Sequence, residues 1–218
     1  MIRHPVNTNL TLHYDSTYLG LPIRFDKGPF IREYLHRLHQ TMFRSIDQYR
    51  RVFAFRVDLH YPPGPIPQEL SDDNQIIERF IESFKAKIKH NRQLAQRENK
   101  YAHGTVVRYV WTREDGQQGR PHYHLAIFLN YDAFSALGRF SPERDNMFNR
   151  LHGAWASALG LPSENVMGLV HIPKNPYYHL HRDDHACIAD FFCRASYLCK
   201  SATKTFANGS HGFGASRL

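Results

Sequence analysis

The segment TVVRYVWTREDGQQGRPHYHLAIFLN, residues 105–130, decides the fold. Two runs rich in β-branched and aromatic residues flank DGQQGRP, whose glycines and proline are typical of a hairpin turn. The two runs are therefore predicted to pair as antiparallel strands. In the second strand, residues two apart point to the same face, so His122 and His124 lie on one side while Tyr123 and Leu125 lie on the other.

The segments around this hairpin predict a sheet flanked by helices. VFAFRVDLHY, residues 52–61, alternates between apolar and polar positions, which indicates another strand with one buried face. A short strand is expected near residues 166–172, followed by a polar loop, PKNPYYHLHRDDH. Apolar residues at helical spacing predict four helices, within residues 30–48, 71–100, 141–159 and 186–204. We therefore expect an α+β fold, with helices covering one face of a central antiparallel sheet that carries the His-x-His strand.

The chain is predicted to contain one main domain. Residues 1–50 are expected to form an arm and a helix packed on the core, residues 51–204 the domain, and the glycine- and serine-rich residues 205–218 a flexible tail. Apolar runs are far shorter than the roughly 18 residues that span a bilayer, so we expect a cytoplasmic protein without a membrane partner. Three cysteines in one segment fit neither a disulfide framework nor a zinc site, and are predicted to be reduced thiols.

The charge balance favours a polyanionic partner. The 218 residues include 28 Lys and Arg against 20 Asp and Glu, a formal net charge of +8, and 13% are aromatic. Basic side chains displace the counterions of phosphates, and aromatic faces stack on bases. The predicted second helix has a basic side that is either solvated or in contact with DNA; it consists of Lys85, Lys87, Lys89, Arg92, Arg97 and Lys100.

One of two His-x-His triplets has the geometry of a metal site. The chain has 15 histidines, so about one such triplet is expected by chance, and the one in the polar loop has no fixed geometry. His122 and His124 stand on a strand, and Glu114 ends the partner strand nearby. Two imidazoles and a carboxylate suit Mg²⁺ or Mn²⁺ acting on a phosphate oxygen, with zinc also possible. The alternative is that all three are ordinary solvated residues.

The last predicted helix carries a tyrosine among cations. Tyr197 lies beside the apolar stripe and shares a side with Arg194, Lys200 and Lys204. A nearby ammonium or metal ion favours the phenolate that an attack on phosphorus requires. The alternative is a half-exposed tyrosine that only packs.

Three motifs occur together and in a fixed order: FAFRVDLHYP (53–62), RPHYHLAIF (120–128) and RASYLCKS (194–201). In this combination the chain resembles the HUH endonucleases, the replication initiators and relaxases that nick single-stranded DNA. Their pattern is an apolar strand, then His-hydrophobe-His, then a helix with Tyr-x-x-Lys. The closer resemblance is to the filamentous-phage (inovirus) gene-two replication proteins and their cryptic-prophage relatives, and it covers nearly all the chain from Arg3 to Lys204.

This resemblance implies a fold and a reaction. The fold is the ferredoxin- or RRM-like sheet arrangement of HUH replication initiators, and the reaction is a metal-dependent nick that begins rolling-circle replication in a bacterial host. The resemblance implies that His122 and His124 hold the metal, with Mg²⁺ or Mn²⁺ as the cofactor. Glu114 is the implied third ligand because it stands just before the turn, and Asp58 on the neighbouring strand is the competing choice.

The implied nucleophile is Tyr197, with Lys200 as its helper. Some initiators carry two motif tyrosines, so a single one implies a single-tyrosine cycle and leaves the strand-closing step open. The expected products are a 5′-phosphotyrosine link and a free 3′-hydroxyl for a host polymerase. The expected partners are single-stranded DNA or an origin hairpin, together with a host helicase. Phosphate contacts are predicted for six basic residues: Arg56, Arg108, Arg120, Lys174, Arg194 and Lys204.

Two functions of other classes compete with the nickase. A non-cutting DNA-binding regulator would keep the basic surface, and a histidine-metal hydrolase would use water on the metal. Neither needs the phenol of Tyr197, whereas the nickase does.

Overall fold

The computed structural model of the chain describes residues 2–65, 74–116, 120–138, 145–202, 204 and 212–217. The predicted hairpin tip, the predicted starts of the second and third helices, and most of the predicted tail lie outside these described residues. Within the described part, no helix is both long and apolar enough to cross a membrane.

Residues 2–48 form an N-terminal layer of short strands and one helix. Strands β1, β2 and β5 make a three-stranded antiparallel sheet, and β3 and β4 make a hairpin. The helix α1 buries one stripe of apolar residues at a spacing of three and four. The bounds are β1 (Ile2–Arg3), β2 (Thr11–His13), β3 (Thr17–Tyr18), β4 (Leu21–Pro22), β5 (Phe30–Ile31) and α1 (Arg32–Gln48).

The remaining elements build one large antiparallel sheet with helices around it. Its strands lie in the order β10-β6-β8-β7-β11, and β9 also pairs with β6. The predicted α+β fold, with a central antiparallel sheet that carries the His-x-His strand and is flanked by helices, is confirmed. The bounds are β6 (Arg51–His60), α2 (Gln75–Glu98), β7 (Arg108–Asp115), β8 (Pro121–Asn130), α3 (Met147–Leu159), β9 (Val170–His171), β10 (Tyr177–His181), α4 (His185–Ala195) and β11 (Phe213–Ala215).

Helices cover both faces of this sheet, so the expectation that they cover only one is wrong. Phe55 and Leu125 face a core that α2 and α3 close with Phe80 and Trp155. The side chains on the opposite face of the sheet pack in a second core under α1 and α4; they are Val52, Ala54, Val110, Ala126 and Phe128. The expectation that helices cover one face failed because β6 and β8 each carry apolar residues on both faces over part of their length.

Two segments without apolar periodicity are strands. The predicted polar loop contains β10, which pairs with β6 in the register Tyr177 to Phe55. Only Leu180 of this edge strand is buried, so its sequence shows no buried face. In the predicted flexible tail, β11 (Phe213–Ala215) pairs with β7. The proposed domain limits stay predictions.

The last helix is shorter than predicted. The α-helix α4 ends at Ala195 rather than near Lys204, and residues Ser196–Cys199 form a single 3₁₀ turn. Lys200 then pairs with Phe30 in an isolated antiparallel bridge. Pairing with the N-terminal layer therefore replaces the last helical turns that the sequence suggests.

A candidate metal centre and nucleophile

One face of the sheet changes from apolar to polar halfway along its strands. On the face that packs against α1 and α4, the residues of β6 change from apolar (Val52, Ala54) to polar (Arg56, Asp58). The strand β8 runs in the opposite direction, so its residues on this face change from histidine to apolar. The antiparallel register pairs Asp58 with His124, and Glu114 of β7 with His122. Three polar strand segments therefore meet on one patch of the sheet.

Three side chains of this patch could hold one metal ion. The Nε2 atoms of His122 and His124 are 3.1 Å apart, and Oε2 of Glu114 is 3.6 Å from Nε2 of His124. One ligand atom from each of the three lies within 4.8 Å of the others. Two ligand atoms that each bind one ion at about 2.1 Å, with a right angle between the two bonds, are about 3 Å apart. The donor set and its spacing fit a divalent cation.

Asp58 orients His124 and does not face the candidate metal position between Glu114, His122 and His124. Its Oδ1 lies 2.6 Å from Nδ1 of His124, on the side of the ring away from Nε2. A carboxylate in this position fixes the tautomer in which Nε2 offers its lone pair. The geometry therefore favours Glu114 over Asp58 as the third ligand. Glu114 is only 2% exposed and His124 9%, so the interpretation of these two as ordinary solvated residues is wrong.

Burial and neighbouring charges shift the pKa values of this patch in different directions. Burial alone lowers the pKa of His124, but hydrogen bonds to Asp58 and Glu114 outweigh it and raise the pKa. Burial lowers the pKa of His122, helped by the neighbouring charges of His124 and His60. The Asp58 carboxyl has a lowered pKa because the bond from His124 and the charges of His124 and Arg56 outweigh burial. The Asp58 carboxyl is thus held in its charged form beside His124.

Two lysines bind both oxygens of Glu114. Lys200 Nζ is 2.9 Å from Oε2, and Lys204 Nζ is 2.8 Å from Oε1. Burial alone would raise the pKa of the Glu114 carboxyl, but the bond to His124 and the charge of Lys204 outweigh it and hold the pKa well below its usual range. Burial lowers the pKa of Lys204, whose side chain is fully enclosed. The two lysines and the carboxylate form a buried ion-pair network.

The 3₁₀ turn after α4 brings Tyr197 to this network. In such a turn, side chains three residues apart are eclipsed, which places Lys200 directly against Tyr197. Lys200 Nζ donates to the phenol oxygen and lies 3.8 Å from the ring centroid. The His124 ring meets the phenol ring edge-on at 5.9 Å, and the Arg56 guanidinium is 5.8 Å from its centroid. A single lysine therefore joins the phenol to a candidate metal ligand.

A comparison with protein families assigns the chain. The family described as the YagK/YfjJ C-terminal domain matches residues 14–216. This chain belongs to the YagK/YfjJ family. Its relatives include two proteins of Escherichia coli (strain K12), both described as uncharacterized. YagK is 31% identical over 205 residues, covering 88% of this chain and 95% of YagK, and YfjJ is 31% identical over 203 residues, covering 87% and 96%. No solved structure matches.

The matched YagK/YfjJ domain contains every residue of the candidate site, from Arg56 to Lys204. The chain also matches nearly the whole length of both relatives. Membership of the YagK/YfjJ family is therefore established. The resemblance to HUH endonucleases stays a prediction.

The six predicted phosphate contacts lie in four different settings in this YagK/YfjJ domain. Arg56 lies in the site, and beside it Arg194 donates to the carbonyl of the exposed Lys174. Lys204 is buried on Glu114, so the structure places it in the ion-pair network and away from the surface. Arg120 donates to the carbonyl of Pro62 at the hairpin end. The sixth, Arg108, stands six residues before Glu114 on β7, about 20 Å along the strand.

Three residues of the site were missed by sequence reasoning. His60 stacks on His122 with ring centroids 5.4 Å apart, and His171 Nδ1 is 3.5 Å from Asp58 Oδ2. Ser196 contacts the N-terminal layer next to Tyr197. The two-residue alternation of β6 would have revealed His60, because it shares a face with Asp58. His171 and Ser196 reach the site through long-range packing that leaves no local pattern.

Proposed function

We propose that this YagK/YfjJ domain is a metal-dependent, site-specific nickase and strand-transferase of single-stranded DNA that initiates rolling-circle replication, as HUH endonucleases do. The observation that carries the proposal is the link from the Tyr197 phenol through Lys200 to Glu114 and the two histidines. A phenol, an ammonium and a divalent-ion donor set in one patch match the needs of phosphoryl transfer to tyrosine.

His122, His124 and Glu114 would hold Mg²⁺ or Mn²⁺. Two imidazoles and one carboxylate leave open positions for a phosphate oxygen. When bound, the ion supplies a Lewis acid that polarises the scissile phosphate. Arg56, Lys200 and Lys204 already place three positive charges beside the two carboxylates of the patch, which favours an anionic substrate.

Tyr197 is the proposed nucleophile. Lys200 donates to the phenol oxygen and so stabilises the negative charge that develops when the phenol loses its proton. The tyrosine oxygen bonds to phosphorus as the bond from phosphorus to the 3′-oxygen breaks, and the leaving oxygen takes up a proton. The phosphodiester energy is retained in the 5′-phosphotyrosine link. Attack by a 3′-hydroxyl on this link reverses the step, rejoins the strand and frees Tyr197 without ATP.

The DNA is proposed to enter past the basic rim of the site. Arg56 and Arg194 stand on the side of Tyr197 that adjoins the loop carrying Lys174. An unpaired strand, or one extruded from an origin hairpin, would lay its phosphates along this rim. A host helicase and polymerase would then use the exposed 3′-hydroxyl.

The experiment that tests the proposal is capture of a covalent complex. Purified protein is incubated with a randomised single-stranded DNA pool and Mn²⁺, and denaturant-resistant adducts are isolated and sequenced. We expect adducts that need the metal, carry a phosphotyrosine and leave an extendable 3′-hydroxyl. Binding without an adduct would instead favour a non-cutting DNA-binding regulator, and cleavage without an adduct would favour a hydrolase that uses water.

Removal of the carboxylate behind His124 should weaken metal binding. Asp58→Asn keeps the shape of the side chain but loses the charge that orients Nε2. We expect the affinity for Mn²⁺, measured by calorimetry, to fall by about 10–100-fold. Asp15→Asn, at an exposed aspartate, is the matched control and should bind as the wild type does. Equal affinities in all three proteins would contradict the orienting role.

The basic end of α2 offers a test of duplex contact. Its last buried residue is Ile88, but the helix continues to Glu98, about 15 Å further. If the exposed Lys89, Arg97 and Lys100 contact phosphates, replacing all three with alanine should lower the slope of log affinity against log salt by about 3, measured on a hairpin DNA by fluorescence anisotropy.

A matched variant separates phosphate contact from general charge. Replacing Arg3, Arg32 and Arg79, which are also exposed, with alanine removes the same net charge. We expect this variant to keep the wild-type slope. If the α2 variant also keeps it, the basic end of α2 is a solvated face.

A further inference from the structure

The turn that carries Tyr197 is held at both ends by the N-terminal layer. At the first residue of the turn, Oγ of Ser196 accepts a hydrogen bond from the Arg24 backbone N–H at 2.9 Å. After it, the Ser201 N–H donates to the carbonyl of Pro29 at 2.8 Å, and the backbones of Lys200 and Phe30 form an antiparallel bridge. We call residues 24–30 the N-terminal clamp.

The turn has little support of its own. It is one 3₁₀ turn, a conformation with poor hydrogen-bond geometry that is used in short pieces, and its closing bond from the Lys200 N–H to the Tyr197 carbonyl is 3.3 Å long. Leu198 and Cys199 fix its inner side because both are fully buried. Tyr197 and Lys200 stand on the other side of the turn, where Lys200 binds Glu114, and the clamp adds contacts to Ser196, Lys200 and Ser201.

The clamp is itself anchored in the core shared by α1 and α4. Ile23 precedes it and Phe30 is its last residue, and these two side chains are 5% and 1% exposed. The Ser196 hydroxyl is satisfied in both roles, since it also donates to the Cys193 carbonyl at 2.7 Å. The position of the clamp is thus transmitted to both ends of the turn.

We propose that the N-terminal clamp positions the nucleophile, and that Ser196 is the positioning residue through which it acts. The clamp sets where the Tyr197 hydroxyl and Lys200 stand relative to Glu114. This inference rests on the proposed function, in which Tyr197 attacks phosphorus. A reacting group displaced by about 1 Å can lose about 100-fold in rate, so an element that fixes the turn acts on the chemical step rather than on DNA affinity.

The side-chain half of the contact is tested by Ser196→Ala. We expect the single-turnover rate constant of adduct formation to fall by about 10–100-fold, while the dissociation constants for DNA and Mn²⁺ stay at their wild-type values. The matched control is Ser45→Ala in α1, because Ser45 is also buried and its Oγ donates to the Thr41 carbonyl at 2.9 Å. Equal rate constants in the two variants would overturn the proposal.

The backbone half is tested by two substitutions at one position. Arg24 has a φ of −71°, which proline also adopts, so Arg24→Pro deletes the donated hydrogen at a compatible backbone angle. Arg24→Ala removes the same side chain and keeps the N–H. We expect slow adduct formation with proline and a rate constant near that of the wild type with alanine. Slow formation in both would assign the effect to the guanidinium and overturn the clamp.

A readout that needs no activity separates the clamp from the nickase. Amide hydrogen exchange of residues 196–201, followed by mass spectrometry, should be faster in Ser196→Ala and Arg24→Pro than in Ser45→Ala and Arg24→Ala. If these differences occur but the wild type forms no adduct, the clamp is supported and the nickase fails. If the wild type forms adducts but exchange is equal in all four variants, the clamp fails and the nickase stands.

Discussion

Tyr197→Phe should abolish the covalent protein–DNA adduct. The substitution removes one oxygen and keeps the ring, with its contacts to Lys200 and His124. Lys200 retains its bond to Glu114, so the free energy of unfolding should change by less than about 1 kcal/mol. Without the nucleophile no covalent path exists, and adduct yield with Mn²⁺ should fall at least about a thousandfold on denaturing gels.

The control for this experiment is Tyr14→Phe, at an exposed tyrosine in the N-terminal layer. It should form adducts as the wild type does, and DNA binding should be intact in both variants. Adducts that persist in Tyr197→Phe would identify another nucleophile and contradict the assignment.

Glu114→Gln should be strongly destabilising. The amide leaves Lys200 and Lys204 without a counter-charge, and the Lys204 side chain is fully buried. Removing the charge of one partner of a buried ion pair lowers the free energy of unfolding by about 3–5 kcal/mol. Urea unfolding would measure this loss. Glu82→Gln is the matched control, because Glu82 pairs with Lys85 at the same 2.9 Å but in solvent. That change should cost less than about 1 kcal/mol.

A compensating variant and measurements at low pH test the ion-pair explanation further. Adding Lys204→Met to Glu114→Gln removes the buried charge and should recover much of the loss. The pKa of the Glu114 carboxyl is lowered in the folded protein, so its stabilisation is complete above the unfolded pKa of about 4.3 and is lost as the pH falls toward the folded value. The stability gap between wild type and Glu114→Gln should therefore shrink in acid. A gap that stays constant with pH would contradict the ion-pair explanation.

The sequence was sufficient for the three central strands of the sheet, β6, β7 and β8, and for the histidine pair. A two-residue alternation places His122 and His124 on one face of β8, and it also places Asp58 on that side of β6. It could not distinguish Asp58 from Glu114 as a ligand, because that depends on which ring nitrogen of His124 each carboxylate approaches. Only the packing of three strands decides this.

The basic residues show where local patterns fail. Lys204 was expected to contact DNA because a continuous helix would carry it to the surface near Tyr197. The helix ends at Ala195, and the chain turns back so that Lys204 reaches Glu114 in the interior. In the same way, β10 has too few buried residues to show a strand pattern, and its existence depends on pairing with β6.

The bond between Arg24 and Ser196 joins residues 172 positions apart. Bringing such distant segments together is entropically unfavourable and slow, whereas the β7–β8 hairpin that presents the histidines is local. We therefore expect the metal ligands to assemble early in folding and the nucleophile to be aligned only at its end. Competence to cut would then mark a completely folded chain, and an immature or partly unfolded copy could hold DNA without breaking it.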